Sequence, residues 1–206
     1  METILLVDDD PAIRELFAIY LEMGGFRPIT AFGGSGCLEV LRQETPDLII
    51  LDLMMEPMDG WDTLRAVADA RLSRLPPIVV LTGKQPVLAD ILRYGGMIWD
   101  YIVKPVDVKR IVSSLHAIIG REIELQEAMT AAYSAGKDRD AVQEYARLLR
   151  LVTVARNLET RRRERPWTDT IRIRSLEERL NTLHTQLGFP DHLLRESLTG
   201  TPPRDT

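Results

Sequence analysis

A regular alternation of short apolar runs and amphipathic stretches fills the first 120 residues and constrains the fold more than any other feature. The apolar runs have the length of strands, and the stretches between them repeat apolar residues at helical spacing. This alternation predicts an α/β fold with a five-stranded, doubly wound parallel sheet. The predicted strands are 4–7, 27–31, 48–51, 78–81 and 101–103, and the predicted helices are 11–23, 34–43, 61–70, 87–93 and one from Val106 onward.

Polar side chains stand at or just past the ends of four of these strands. Asp8 and Asp9 follow the first strand, Asp52 the third, Thr82 the fourth and Lys104 the fifth. In a parallel sheet these ends meet at one edge, where open α/β sheets place their sites. Clustered carboxylates there suit Mg²⁺, a hard cation that takes oxygen ligands. With an ammonium and a hydroxyl beside them, one carboxylate can accept a phosphoryl group, so we predict a phosphoryl-transfer centre.

The composition narrows the class of protein. No apolar run approaches the ~20 residues that a membrane span needs, so we expect no membrane partner. The start METILLVDDD lacks a basic leader, and a single cysteine, Cys37, cannot form an intramolecular disulfide. We therefore expect a cytoplasmic protein.

The strand pattern stops near Gly120, and helical patterns follow. A capping box at Asp140 to Gln143 predicts the start of a helix to about residue 163, and its segment 148–155 is apolar nearly all round, so it must be buried on more than one side. A further helix, 170–187, carries an apolar seam at coiled-coil spacing. The seam residues are Ile173, Leu176, Leu180, Leu183 and Leu187.

These patterns predict the organisation of the chain. An α/β domain occupies residues 1–120, and an all-α C-terminal module occupies 121–200. The last residues, 201–206, are expected to be a flexible tail.

Four motifs together resemble the receiver domain of two-component response regulators. They are ILLVDDDP, LIILDLMMEPMDG, IVVLTG and DYIVKP, in this order over about residues 1–120. The resemblance implies a flavodoxin-like receiver fold in which Asp52 accepts the phosphoryl group. It also implies Mg²⁺ as the cofactor. Asp9 would be a direct ligand, Asp8 a ligand largely through water, and Asp52 and the backbone carbonyl of Met54 would complete the protein ligands.

The resemblance also implies a switch and a signalling partner. Thr82 would bond a phosphoryl oxygen and move on activation, Lys104 would pair with the phosphoryl group, and Tyr101 would be the aromatic switch residue. The bond from Lys104 to Pro105 would be cis. A sensor histidine kinase or a phosphotransfer protein would donate the phosphoryl group. The chain would not be an enzyme beyond accepting this group and slowly releasing it.

The chain departs from the family pattern at three places. Glu56 stands where a proline usually follows the phosphoacceptor, with Pro57 one place later. Residues 95–99, GGMIW, stand where a small-residue turn usually precedes the last strand, and this bulk argues against the usual family surface between the fourth helix and the fifth strand. Met54 and Lys84 occupy positions at which the family tunes dephosphorylation.

A haloacid-dehalogenase-like phosphatase is an alternative for the whole site. That family also begins with a strand followed by Asp-x-Asp, here Asp8 and Asp10, and also uses a threonine and a lysine. It needs a threonine or valine where Ala12 stands and a later acidic pair after another strand. Asp52 would have no role in it, and Asp10 fits better as the N-cap of the first helix. The receiver interpretation is therefore favoured.

Two outputs are compatible with the C-terminal helices. The apolar seam and the segment 148–155 favour a module that binds a downstream protein or a second copy of the chain. The run Arg161-Arg162-Arg163-Glu164-Arg165 suggests instead the DNA-binding output of a transcriptional response regulator. Acids interspersed among these arginines are typical of salt-bridged helix faces. Nucleic acid is therefore the less favoured partner.

Overall fold

The computed structural model describes residues 1–70, 75–84, 87–105, 107–161 and 170–199. The chain divides into two compact units. The first unit comprises Met1–Gln85 and Tyr101–Ile119, and the second comprises Pro86–Asp100 and Gly120–Thr206. The second unit therefore combines the C-terminal segment with a short stretch of the α/β part.

A five-stranded parallel sheet forms the centre of the α/β part, which confirms the predicted fold class. The strand order is β2-β1-β3-β4-β5. Every residue of β1, β3 and β4 is buried, as expected of runs rich in leucine, isoleucine and valine in a sheet covered on both faces. The strands are β1 (Thr3–Asp8), β2 (Arg27–Phe32), β3 (Leu48–Asp52), β4 (Ile78–Thr82) and β5 (Ile98–Val103).

Four helices alternate with these strands, close to their predicted positions. Asp10 caps the first of them, because its carboxylate accepts a hydrogen bond from the amide of Ala12 at 2.8 Å. Asp59 caps the third by accepting one from the amide of Asp62 at 2.7 Å. The helices are α1 (Pro11–Met23), α2 (Gly33–Leu41), α3 (Gly60–Asp69) and α4 (Leu88–Tyr94).

β5 begins three residues earlier than the sequence predicts, at Ile98 and not at Tyr101. The indole of Trp99 and the carboxylate of Asp100 interrupt the apolar run from which the strand was predicted. Both side chains are nevertheless buried, at 2% and 5% exposed. Trp99 therefore packs inside the second unit.

Four helices complete the described chain: α5 (Val108–Ser134), α6 (Arg139–Arg161), α7 (Thr170–Leu187) and α8 (Asp191–Thr199). α5 is one continuous helix that runs through Gly120. The cap of α6 lies two residues earlier than predicted, at Asp138 and not at Asp140, because the carboxylate of Asp138 accepts from the amide of Ala141 at 2.8 Å. Among the described helices, none is both long and apolar enough to cross a bilayer.

α6 is the central helix of the second unit. It packs against α4, α7 and α8, and it is buried on nearly all sides between Tyr145 and Leu158. This packing explains the predicted all-round apolar segment 148–155. The seam of α7 is covered within the unit as well, since four of its five residues are buried and Leu176 is half-buried.

Some predicted features lie outside the described residues. The arginine run from residue 162 to 165, the predicted start of the fifth helix at Val106 and the tail 201–206 are among them. The predicted limits of the domains, 1–120 and 121–200, stay predictions.

Leu180 provides a test of the packing of α7. Its side chain is fully buried, whereas Thr182 on the same helix is exposed. Leu180→Ala removes apolar contacts and leaves a cavity, which costs about 2–5 kcal/mol in a protein core. We expect urea unfolding, followed by circular dichroism, to show a large destabilisation for Leu180→Ala and almost none for Thr182→Ala. Small and equal effects would contradict the packing described.

Candidate functional site

The ends of two paired strands bring three carboxylates together, as the sequence predicts. β1 and β3 are parallel, with Val7 opposite Leu51, so the acids that follow lie side by side at the carboxyl edge. One carboxylate oxygen from each of Asp8, Asp9 and Asp52 lies within 4.8 Å of the others. Asp8 and Asp52 are buried, and Asp9 is half-buried. These donors fit a divalent cation that takes oxygen ligands.

Lys104 supplies the positive charge next to these acids. Its Nζ lies 2.7 Å from Asp52 Oδ2 and 3.2 Å from Asp8 Oδ2. Burial alone would lower the pKa of Lys104, but its hydrogen bonds and charge attraction to Asp52 and Asp8 outweigh burial and raise the pKa. The ammonium is therefore charged at neutral pH. The amide of Lys104 donates to the carbonyl of Thr82 at 2.8 Å, which holds the lysine beside the end of β4.

The surroundings of Asp8 oppose its ionisation. Burial raises the pKa of this carboxyl, and the negative charge of Asp52 adds to the effect. The amide of Asp10, which donates to Asp8 Oδ1 at 2.8 Å, and the charge of Lys104 act in the opposite direction without reversing it. Keeping a carboxylate away from water is costly unless it is paired. A divalent cation at this edge would attract the ionised carboxylates and so reduce the free-energy cost of burying the charge of Asp8.

Both oxygens of Asp52 are held in place. Oδ2 accepts from Lys104, and Oδ1 accepts from the amide of Met54 at 3.0 Å. The same loop contacts Asp9, whose Oδ2 accepts from the amide of Glu56 at 3.2 Å. Glu56, which replaces the usual family residue, therefore contacts the site through its backbone. The predicted role of the Met54 carbonyl as a metal ligand stays a prediction.

The two predicted switch residues differ in their surroundings. The hydroxyl of Thr82 accepts a hydrogen bond from the Lys84 amide at 3.0 Å and donates to the Lys84 carbonyl at 3.2 Å. Tyr101 is fully buried, with its ring centroid 6.4 Å from that of Trp61. The switching roles of Thr82 and Tyr101 stay predictions. The bond from Lys104 to Pro105 is cis, as the resemblance implies.

Gly60 is a residue of the site that the sequence analysis missed. A Cβ at this position would lie 2.4 Å from the carbonyl oxygen of Asp52 and 2.6 Å from the Cα of Leu53. α3 can therefore begin this close to the end of β3 only with glycine. The signal in the sequence was the pair Asp59-Gly60, a capping residue followed by a glycine at the end of LIILDLMMEPMDG.

Gly83 is a second glycine that the sequence analysis passed over. A Cβ there would lie 3.0 Å from the sulfur of Met54. The half-exposed side chain of Met54 thus extends over the residue that follows Thr82. This contact places Met54 beside the Thr82 end of β4 as well as beside Asp52.

The sheet and its acidic edge define the class of protein. The response regulator receiver domain family matches residues 4–116, which is more than half of the chain. The chain therefore belongs to the response regulator receiver family, in agreement with the resemblance of its four motifs. The structure also argues against the phosphatase alternative, in which Asp10 would be the second site acid, because the carboxylate of Asp10 caps α1.

Curated relatives share about 120 residues with this chain. The transcriptional regulatory protein AfsQ1 of Streptomyces coelicolor is 34% identical over 121 residues, which are 59% of this chain and 52% of AfsQ1. The DNA-binding response regulator MtrA of Mycolicibacterium smegmatis is 36% identical over 121 residues, 58% of this chain and 51% of MtrA. The chain thus spans about half the length of the curated relatives it matches.

Solved structures show the same receiver fold. A CheY-like receiver domain protein from Methanospirillum hungatei is 34% identical, with a TM-score of 0.53 over 57% of this chain and 94% of that chain. The response regulator protein TrrA of Thermotoga maritima, solved in complex with Mg²⁺ and BeF, is 26% identical. Its TM-score is 0.50, and the match covers 57% of this chain and 98% of that chain.

Divalent cations should stabilise the fold through the three acids. A ligand that binds only the folded state contributes about 2.7 kcal/mol at 100 times its dissociation constant. We expect saturating Mg²⁺ to raise the melting temperature of the wild-type chain, measured by scanning calorimetry, and Asp9→Ala to lose this rise. Asp10→Ala is the matched control, since Asp10 lies outside the cluster and caps α1. A full Mg²⁺ response in Asp9→Ala would show that the proposed ligand is wrong.

Proposed function

We propose that this chain is a phosphorelay response regulator that accepts a phosphoryl group on Asp52. The observation that supports this most is the setting of the Asp52 carboxylate, which lies 2.7 Å from Lys104 Nζ and beside Asp8 and Asp9 at the carboxyl edge. Membership of the receiver family is independent support. The donor would be a sensor histidine kinase or a phosphotransfer protein, and we place the reaction in the cytoplasm.

The proposed reaction is a direct transfer. A carboxylate oxygen of Asp52 attacks phosphorus, and the bond from phosphorus to the donor imidazole nitrogen breaks with its electron pair left on nitrogen. Lys104 meets the negative charge on the phosphoryl oxygens. Asp8, Asp9, Asp52 and the Met54 carbonyl would hold Mg²⁺, which supplies further positive charge when bound. We assign the chain no other catalysis than this acceptance and slow hydrolytic release.

The proposed switch is a shift of population. The hydroxyl of Thr82 would exchange its local partner, the backbone of Lys84, for a phosphoryl oxygen. Hydrogen bonds to an ionised acceptor are stronger than those between neutral groups, so the exchange is favourable. Tyr101 would follow into the space vacated. A differential stabilisation of roughly 5.5 kcal/mol moves a two-state equilibrium from one dominant state to the other.

We propose protein interaction as the output of the C-terminal helices. Four arginines on α6 and α7 form ion pairs with acids of the second unit: Arg150 with Glu122, Arg156 with Glu159 and Glu177, Arg161 with Asp100, and Arg179 with Glu144. Affinity for DNA comes largely from cations that contact phosphates. Arginines already paired within the protein are poorly suited to that role. The partner would be a downstream protein or a second copy of the chain.

DNA binding is the second candidate for the output. It is favoured by the names of relatives such as MtrA, a DNA-binding response regulator. The similarity to MtrA extends over 121 residues, about the length of the receiver match, and so it does not favour either output for the C-terminal helices.

Asp52→Asn tests the phosphoacceptor. With acetyl phosphate and Mg²⁺, we expect mass spectrometry to show one added phosphoryl group on the wild-type chain and none on Asp52→Asn, because an amide is a poor nucleophile. Asp69→Asn, an exposed acid at the end of α3, is the control and should be labelled normally. Labelling retained in Asp52→Asn would overturn the assignment.

A salt titration distinguishes the two outputs. A protein that neutralises six to ten DNA phosphates loses roughly 10³–10⁵ in affinity between 50 and 200 mM salt. For an interaction module we expect only weak duplex binding at physiological salt, by fluorescence anisotropy, whether or not Arg162 and Arg163 are replaced by alanine. Submicromolar binding that is abolished by this double substitution would favour DNA binding. Arg65→Ala, on α3, controls for the loss of positive charge.

A further inference from the structure

We propose that α6 is the internal partner of residues 87–100, here named the linking segment, and that it receives the phosphorylation signal through them. The linking segment contains α4 and the first half of β5. It belongs to the receiver family match, yet it forms a compact unit with the C-terminal helices. The inference rests on the proposed function of Asp52 and adds the element that responds to it.

The first support is the close approach of α6 to the Gly95-Gly96 turn. A Cβ on Gly95 would lie 2.5 Å from the carbonyl oxygen of Ile91 and 2.6 Å from Cδ1 of Leu151, and a Cβ on Gly96 would lie 2.3 Å from Cγ of Arg147. These distances are too short for a side chain at either position. The two glycines therefore allow α6 to lie directly against the end of α4.

The second support is a buried polar group around Trp99. The indole Nε1 donates to Oε2 of Glu122 at 2.7 Å, and Glu122 is fully buried. Arg150 on α6 donates to both oxygens of Glu122, at 2.8 and 2.9 Å, and its guanidinium lies 5.8 Å from the centre of the Trp99 ring. A buried network whose members are all paired fixes one geometry. Trp99 is therefore fixed to α6 through Glu122 and Arg150.

The third support is the pair of Asp100 with Arg161. The guanidinium of Arg161 donates to both carboxylate oxygens of Asp100, at 2.8 and 2.7 Å. Such two-pronged pairs are strongly directional. Arg150 and Arg161 are eleven residues apart on α6, which is about three helical turns. Contacts from two distant points of one helix thus converge on consecutive residues of β5.

This arrangement connects the proposed switch to the helices by the shortest covalent route. Tyr101 follows Asp100 in β5, so a movement of Tyr101 on activation would act on the strand that also carries Trp99 and Asp100. Their directional contacts transmit that change to α6. Coupling between two sites is reciprocal: if the switch changes the stability of the α6 contacts by some free energy, a change in those contacts shifts the switch equilibrium by the same free energy. A partner that binds this face of the linking segment would also have to displace α6.

Hydrogen exchange on the full chain tests the proposal, with beryllofluoride and Mg²⁺ as the probe. In the wild type we expect the probe to change exchange in the linking segment and in α6 between residues 145 and 158. In Arg161→Gln, exchange at residues 98–100 should rise roughly tenfold, because a buried carboxylate loses a partner. The response of α6 to the probe should largely disappear. Trp99→Phe, which keeps an aromatic ring and loses the N–H donor, should also weaken the response of α6 to the probe.

Arg179→Gln is the matched control, because Arg179 also makes a two-pronged pair, with Glu144, but outside the linking segment. It should keep the wild-type response. The inference fails if α6 ignores the probe in the wild type, or if Arg161→Gln responds like Arg179→Gln, while acetyl phosphate still labels Asp52. Loss of labelling in the wild type would instead overturn the proposed function, and the inference with it.

Discussion

The contact of Lys104 with Asp52 and Asp8 is the interaction on which the α/β part depends. Two buried carboxylates at one sheet edge repel each other, and a buried charge without a partner is strongly destabilising. One ammonium, 2.7 and 3.2 Å from their oxygens, offsets part of this cost for both carboxylates. This requires the ends of β1, β3 and β5 to lie within the reach of one lysine. Apolar patterning alone would tolerate several strand orders, and the charge cluster selects among them.

The second unit is organised around a different kind of constraint. α6 is buried on nearly all sides, so it cannot be stable without helices around it. The burial of Glu122 adds specificity, since its carboxylate accepts from Trp99, Arg150 and Gln126. Apolar contacts would permit α6 to slide or rotate at small cost, whereas a fully paired buried carboxylate permits one register.

Much of the α/β part could be predicted because its signals are local. Each strand is an apolar run, and each site residue follows the end of one, so Asp8, Asp52 and Lys104 could be placed at one edge from the sequence alone. Gly60 could not, because its requirement arises from the backbone of Asp52 and Leu53. The start of β5 was missed for a similar reason. Trp99 finds its partners on α5 and α6, which no local window contains.

One departure from the receiver pattern, at residues 95–99, contacts the C-terminal helices. Gly95 and Gly96 leave room for Leu151 and Arg147, and Trp99 supplies the indole that donates to Glu122. A smaller residue in place of Trp99 would leave the buried Glu122 with one donor fewer, which is costly for a charged group. The departure is therefore a structural adaptation of the receiver to its own C-terminal helices. The family pattern identifies residues 4–116 as one domain, while residues 87–100 of that domain belong to the same compact unit as the helices that follow it.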